Sequence, residues 1–284
     1  CGRHRDYPGD RDGGRPVHCS VGAAGAGGVK ESRVLKKMSG KTIVNVWTSA
    51  IPLSLSKGEE EKRLKILNPG EKRRHNSMRS EARQREYLFS HALARVKIAE
   101  AIGVAPAELP LVFEVGKRPQ LAVHHPPSLP AGRHGTIHHP LHLSLTHSAQ
   151  MAAVALAPFP VGIDMEPVGR MKHIDDVARR MFAPEEAEEI LALEGDKKKL
   201  RFTRYWTLRE AFYKASGMPL ADMTKGVVFS IDDDEKVRFT INHQRSTIIN
   251  PLSPWHFSLH RPAPGHILAV AALSQREVKV ELEK

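Results

Sequence analysis

Between Phe202 and Ser216 the chain repeats apolar residues at helical spacing. Tyr205, Leu208, Phe212 and Ala215 fall on one broad stripe at about 100° per residue, and this predicts a buried helix face. Glu210 and Lys214 fall together on the other side, four residues apart. Gly217 stands where a left-handed C-terminal residue is wanted, and Pro219 stops the helix from resuming. A second long helix is predicted from Ser80 to Ile102, carried by Tyr87, His91, Leu93, Ala94, Ile98 and Ile102 and ended by Gly103. Further helical stretches are expected near 174–195 and 200–216.

The strand pattern is shorter and more scattered. Ile43–Thr48, Leu111–Val115, Leu141–Ser148, Met151–Ala157, Val161–Glu166, 226–231, 236–242, 255–260 and Ile267–Leu273 read as strands, with a charged tail after the last. In Leu141–Ser148, Leu143, Leu145 and His147 alternate with Ser144, Thr146 and Ser148. Pro158-Phe159-Pro160 is a natural joint, with strand-rich and helix-rich pieces on both sides of it. The fold class is therefore α+β, in two comparable halves, 41–157 and 158–284. Residues 1–40 hold Gly-rich and Arg-rich pieces without periodicity and read as a disordered tail or a non-native extension. The chain does not open on Met, and Met38 is the expected natural start.

Composition narrows the class. Of 284 residues 40% are hydrophobic and 26% charged, enough to bury a substantial core, and no apolar run reaches the length of a membrane span. The two cysteines, Cys1 and Cys19, both lie in the tail, which suits a reducing compartment. The formal net charge of +11 favours a polyanionic partner without choosing one. The dense charge run at 56–75 and the arginines Arg73, Arg74, Arg79, Arg83, Arg85 and Arg95 read first as a solvated basic face. The His/Pro-rich segment 122–142 carries His124, His125, His134, His138, His139 and His142. It lacks a cysteine or a His-Glu-x-x-His, and its prolines break any scaffold, so it reads as an exposed loop rather than a zinc site.

Two motifs carry chemistry. In a strand, Asp164 and Glu166 point to one face while Val161, Ile163 and Met165 point to the other. Carboxylates so close repel unless a cation or a proton lies between them. With Glu210 they would offer three hard oxygen ligands, a set that suits Mg²⁺. Gly162 would let another chain or a ligand approach the backbone. Each motif alone has an ordinary explanation, a solvated strand end for one and a surface ion pair for the other.

Val161-Gly162-Ile163-Asp164-Met165-Glu166, followed some forty residues later by Trp206-Thr207-Leu208-Arg209-Glu210-Ala211-Phe212-Tyr213-Lys214, resembles the signature pair of the 4′-phosphopantetheinyl transferase superfamily. The family pattern is Val/Ile-Gly-x-Asp-x-Glu and Trp-x-x-Lys-Glu-x-x-x-Lys, so Arg209 stands where Lys is usual. Gly116-Lys117-Arg118-Pro119 is similar to that family's Gly-Lys-Pro turn with one residue inserted, and Leu143–Ser148 to its Asn-x-Ser-His-Ser strand. The resemblance implies two similar α/β halves with pseudo-twofold symmetry and an active site in the cleft between them. It implies a cytoplasmic, monomeric transferase that moves phosphopantetheine from coenzyme A to a serine of an apo acyl or peptidyl carrier protein, with Mg²⁺, releasing 3′,5′-ADP. It implies Asp164, Glu166 and Glu210 as metal ligands, with Glu210 also the base, and Lys214 on the diphosphate. It places His147 at the 3′-phosphate, with Arg73 and Arg74 as further candidates there, and Lys117 and Thr146 at the adenine end. Neither nucleic acid nor membrane is an expected partner. A basic nucleic-acid-binding protein and a Mg²⁺-dependent nuclease or phosphatase are the alternatives. The first leaves the acidic triplet unexplained, and the second usually needs a further Asp/His set.

Overall fold

The computed structural model describes residues 42–113, 119–121, 141–217, 226–241 and 254–284. The tail, Lys117 and all of the His/Pro-rich segment except Leu141 and His142 lie outside these residues. A four-stranded sheet runs in the order β11 (Lys279–Glu283), β1 (Ile43–Ala50), β5 (Met151–Ala157), β4 (His142–Ser148). A three-stranded antiparallel sheet follows the order β6 (Val161–Pro167), β10 (His266–Leu273), β9 (Trp255–His260). Two small ribbons, β2 (Leu111–Val112) with β3 (Gln120–Leu121) and β7 (Val227–Ile231) with β8 (Val237–Ile241), complete the strands among the described residues.

The charged tail is a correction to the sequence reading. Lys279–Glu283 is a strand that pairs in parallel with β1, from Ile43↔Lys279 to Trp47↔Glu283. Its alternation of charged and apolar residues suits an edge strand with one solvated face. The charge run at 56–75, for which the sequence predicts no element, is helical. It forms helices α1 (Lys57–Ile66) and α2 (Pro69–Asn76), each opened by a reciprocal cap, Ser56 with Glu59 and Asn68 with Glu71. The Leu111–Val115 strand is shorter than expected and ends at Val112 among the described residues.

Helix α3 (Glu81–Ile102) matches its prediction, capped by Ser80 and closed by Gly103 in the left-handed region. The stretch 174–195 is broken into α4 (Ile174–Met181) and α5 (Pro184–Leu191), because Pro184 is tolerated only at a helix start. The signature helix α6 runs Gly195–Ser216 and ends at left-handed Gly217.

The elements stack in layers. Ala94, Ile98 and Ala101 of α3 pack against Trp47, Val154 and Leu156 on one face of the four-stranded sheet. The opposite face, through Val44, Val46, Ala153 and Ala155, meets Ile163, Met165, Leu268 and Val270 of the three-stranded sheet. Beyond that, Leu208, Ala211, Phe212 and Ala215 of α6 pack with Ala269 and Ala271. No helix among the described residues is long and apolar enough to cross a membrane.

Candidate active site

The site is built where β6 is clamped between α6 and the edge strand β4. Gly162 makes the α6 contact possible, since a Cβ there would fall 2.1 Å from the Ala211 carbonyl oxygen and 2.5 Å from the Ala215 nitrogen. The close approach foreseen at Gly162 is therefore that of the protein's own helix. It brings Lys214 Nζ to 2.7 Å from Asp164 Oδ1, across fifty residues of chain.

The other side is stitched by hydroxyls. Ser144, Thr146 and Ser148, the polar members of the β4 alternation, are buried like Leu143 on the opposite face, and each meets β6. Ser144 Oγ accepts from the Ile163 amide at 3.0 Å, Thr146 Oγ1 donates to Asp164 Oδ1 at 3.2 Å, and Ser148 Oγ donates to Glu166 Oε2 at 2.6 Å. β4 and β6 are end strands of their sheets, so these side chains join two edges that lack a backbone ladder. Thr146, expected at the adenine end, has its hydroxyl on Asp164.

Arg170 was not singled out in the sequence. Its guanidinium grips Glu166 at 2.7 and 3.0 Å and donates to Ser148 Oγ at 2.6 Å. The i,i+4 spacing of Glu166 and Arg170 was the available signal, hidden because the intervening residues form a strand end and turn rather than a helix.

Glu210 is half-buried on α6. Burial raises its pKa above the ordinary carboxylate value, and the negative charges of Asp164 and Glu166 add to this, while Lys214 opposes it. Asp164 is 6% exposed, and its Oδ2 is buried without a hydrogen-bond partner. No group of three or more His, Cys, Asp or Glu among the described residues stands close enough to hold a metal ion. Lys214 and Arg170 instead balance the acids. The fit to a hard divalent cation rests on the orphaned Asp164 oxygen and on the repulsion felt by Glu210, both of which a cation would relieve.

His147 lies on the outward face of β4 with 40% of its side chain exposed; what burial it has lowers its pKa, against the opposing pull of Glu86, whose Oε2 lies 3.8 Å from its Nδ1. Arg73 and Arg74 are exposed on the last turn of α2. Arg209, next to Glu210, faces away from the acids and pairs with buried Glu186.

Residues 160–271, which include the Asp164–Glu166 strand and the Glu210–Lys214 helix, match the family model of the 4′-phosphopantetheinyl transferase superfamily. Over this segment the chain is similar to that superfamily. Similar superfamily members include 4′-phosphopantetheinyl transferase HetI of Nostoc, 26% identical over 181 residues, 63% of this chain and 71% of that protein. A 4′-phosphopantetheinyl transferase of Bacillus subtilis is 25% identical over 184 residues, 64% of this chain and 75% of that one. Among solved structures, a holo-(acyl-carrier-protein) synthase of Bacillus anthracis in complex with CoA (3′,5′-ADP) aligns over 40% of this chain and 95% of its own. Its identity is 19% and its TM-score 0.34.

Proposed function

We propose that the chain is a 4′-phosphopantetheinyl transferase, moving phosphopantetheine from coenzyme A to a serine of an apo acyl or peptidyl carrier protein. The observation that carries this is the convergence of Lys214 and Glu210, from one helix, on the Asp164–Glu166 strand. The α3-covered and α6-covered sheets are read as two halves with the substrate cleft between them, the last strand returning from the second half to the first.

The chemistry is an in-line displacement. The serine oxygen forms a bond to the phosphorus that carries the pantetheine arm, and the bond from that phosphorus to the bridging oxygen breaks. 3′,5′-ADP leaves with the electron pair. A Mg²⁺ held by Asp164, Glu166 and Glu210 would supply neutralisation of the diphosphate charge. Glu210, directly or through a water, takes the serine proton. Lys214, 28% exposed, has its ammonium where it can turn from Asp164 to a diphosphate oxygen. His147 meets the 3′-phosphate, with Arg73 and Arg74 lending positive charge and Lys117 lining the adenine end. Thr146 holds Asp164 in place rather than touching the base.

The test is direct. Incubation with coenzyme A, Mg²⁺ and an apo carrier protein should add one phosphopantetheine mass to the carrier and release 3′,5′-ADP. A carrier of unchanged mass, under conditions where a known transferase modifies it, would overturn the proposal.

A further inference from the structure

His147 stands among groups that mostly discourage its proton. Partial burial of the ring, 40% of which is exposed, is the largest effect, and His91 of α3, Lys214 of α6 and Arg170 beyond β6 add to it as positive or potentially positive neighbours. Glu86, one turn before Ser90 on α3, is the carboxylate that faces the ring, with Oε2 3.8 Å from Nδ1 and 28% of its side chain exposed.

We propose that Glu86 is a positioning residue for His147, holding the ring through Nδ1 so that a protonated Nε2 is presented to the 3′-phosphate of coenzyme A. The inference rests on the reading of His147 as a phosphate contact. Without the carboxylate, burial and the surrounding cations leave the ring neutral. A neutral ring with its proton on Nδ1 turns a lone pair, not a donor, toward an anion. With Glu86 in place, Nδ1–H is claimed by the carboxylate and the second proton goes to Nε2, the arrangement by which carboxylates orient histidines in other sites. Closing the separation from 3.8 Å to hydrogen-bond length needs only a side-chain adjustment of the kind that accompanies substrate binding.

The experiment compares Glu86→Gln, His147→Ala and the parent protein with coenzyme A and with 3′-dephospho-coenzyme A, and follows the His147 ring by NMR across pH. Glu86→Gln should lower the His147 pKa, because the carboxylate that favours the imidazolium is gone. That thins the imidazolium population above the pKa. The Michaelis constant for coenzyme A should rise about threefold to tenfold near pH 7.5, with kcat little changed, and the gap should close as the pH is lowered. With 3′-dephospho-coenzyme A the variant should match the parent. A His147 titration unmoved in Glu86→Gln, or a penalty equal for both substrates, would overturn the role of Glu86. Equal penalties on both substrates in His147→Ala would instead remove the phosphate contact itself, whatever the NMR titration shows.

Discussion

Gly162 of β6 and Ala211 of α6 are in backbone contact. A Cβ on Gly162 would sit 2.1 Å from the Ala211 carbonyl oxygen, a distance that no side-chain adjustment can relieve because the obstacle is main chain. The small residue sets the depth at which α6 lies on the sheet, and so where Glu210 and Lys214 meet Asp164. Gly162→Ala should lower unfolding free energy at or above the roughly 1–3 kcal/mol typical of overpacking. It should also cut transfer severely, since the helix must lift. Denaturant titration and the carrier-protein assay read the two effects, and a parent-like midpoint would show that α6 is not seated as described.

The hydroxyl of Thr146 is the third partner in the Lys214–Asp164 contact. It donates at 3.2 Å to the same Oδ1 that Lys214 reaches at 2.7 Å. Thr146→Val keeps the shape and deletes the donor. A hydrogen bond to a charged group contributes about 1.5–3 kcal/mol, so kcat/KM should fall roughly tenfold to a hundredfold. Thr146→Ser should restore most of it. Parent activity in Thr146→Val would leave the hydroxyl no part in orienting Asp164.

Asp164→Ala should abolish transfer while leaving a folded protein. Lys214 is partly exposed and can be solvated once its partner is gone. The same change should eliminate any stabilisation of the parent by Mg²⁺, read as a melting-temperature shift without coenzyme A. Transfer at the parent rate by a folded Asp164→Ala protein would remove the carboxylate from the machinery.

Arg209 shows how a motif residue can serve the fold. Its guanidinium pairs with Glu186 of α5, donates to the Val227 carbonyl at 2.9 Å, and lies 5.3 Å from the Phe182 ring centre. Glu186 also accepts from the Phe229 amide at 2.6 Å and the Ala183 amide at 3.1 Å, tying α5, α6 and β7 together. Burial pushes the Glu186 carboxyl above its ordinary value, with Arg209 opposing. Glu186→Ala strands a buried guanidinium and should cost roughly 3–5 kcal/mol by denaturation. A loss under about 1 kcal/mol would mean the pair is not sealed from water.

Much of this was legible from residue patterns. The stripe Tyr205–Leu208–Phe212–Ala215 and the end at Gly217 gave α6 its buried face and its C-terminal limit, while its start at Gly195 lies ahead of the expected 200. Asp164 and Glu166 could be placed on one side of a strand because a strand has a period of two. Less legible was anything decided by partners distant in sequence. On β4 the apolar face packs on the α3 side through Leu143 and Leu145, as the alternation suggests, but the hydroxyl face is buried as well, because β6 supplies hydrogen-bonding groups for Ser144, Thr146 and Ser148. The pairing of β11 with β1 joins residues more than two hundred positions apart and leaves no local mark. The capping boxes at Ser56 and Asn68 were legible, but their helices carry too little apolar periodicity to stand out from a charge run.

Glu71, His91 and Arg95 form a buried polar knot beneath α2, and acid should undo it. Arg95 is fully buried and donates to Glu71 Oε2 at 2.7 Å and to the Leu109 and Pro106 carbonyls at 3.1 Å. His91 Nδ1 lies 3.0 Å from Glu71 Oε1 and donates to it, because an ionised carboxylate can only accept. Burial would raise the Glu71 carboxyl, but the hydrogen bonds from His91 and the Asn68 amide and the charge of Arg95 outweigh it and leave it below its ordinary value. Burial holds His91 below its ordinary value, against the pull of Glu71. A histidine whose folded pKa is depressed takes up its proton more readily when unfolded, so stability falls as pH drops below about 6.5. A carboxylate whose folded pKa is depressed contributes stability above its unfolded value, about 4.5, and loses it as pH falls further. Melting temperature should therefore decline first below about pH 6.5, with His147 and His260 adding to the slope, and again below about pH 4.5. His91→Gln should flatten the upper limb and leave the lower one. An upper limb unchanged in His91→Gln would assign it to the other histidines and show that the knot is not closed to protons.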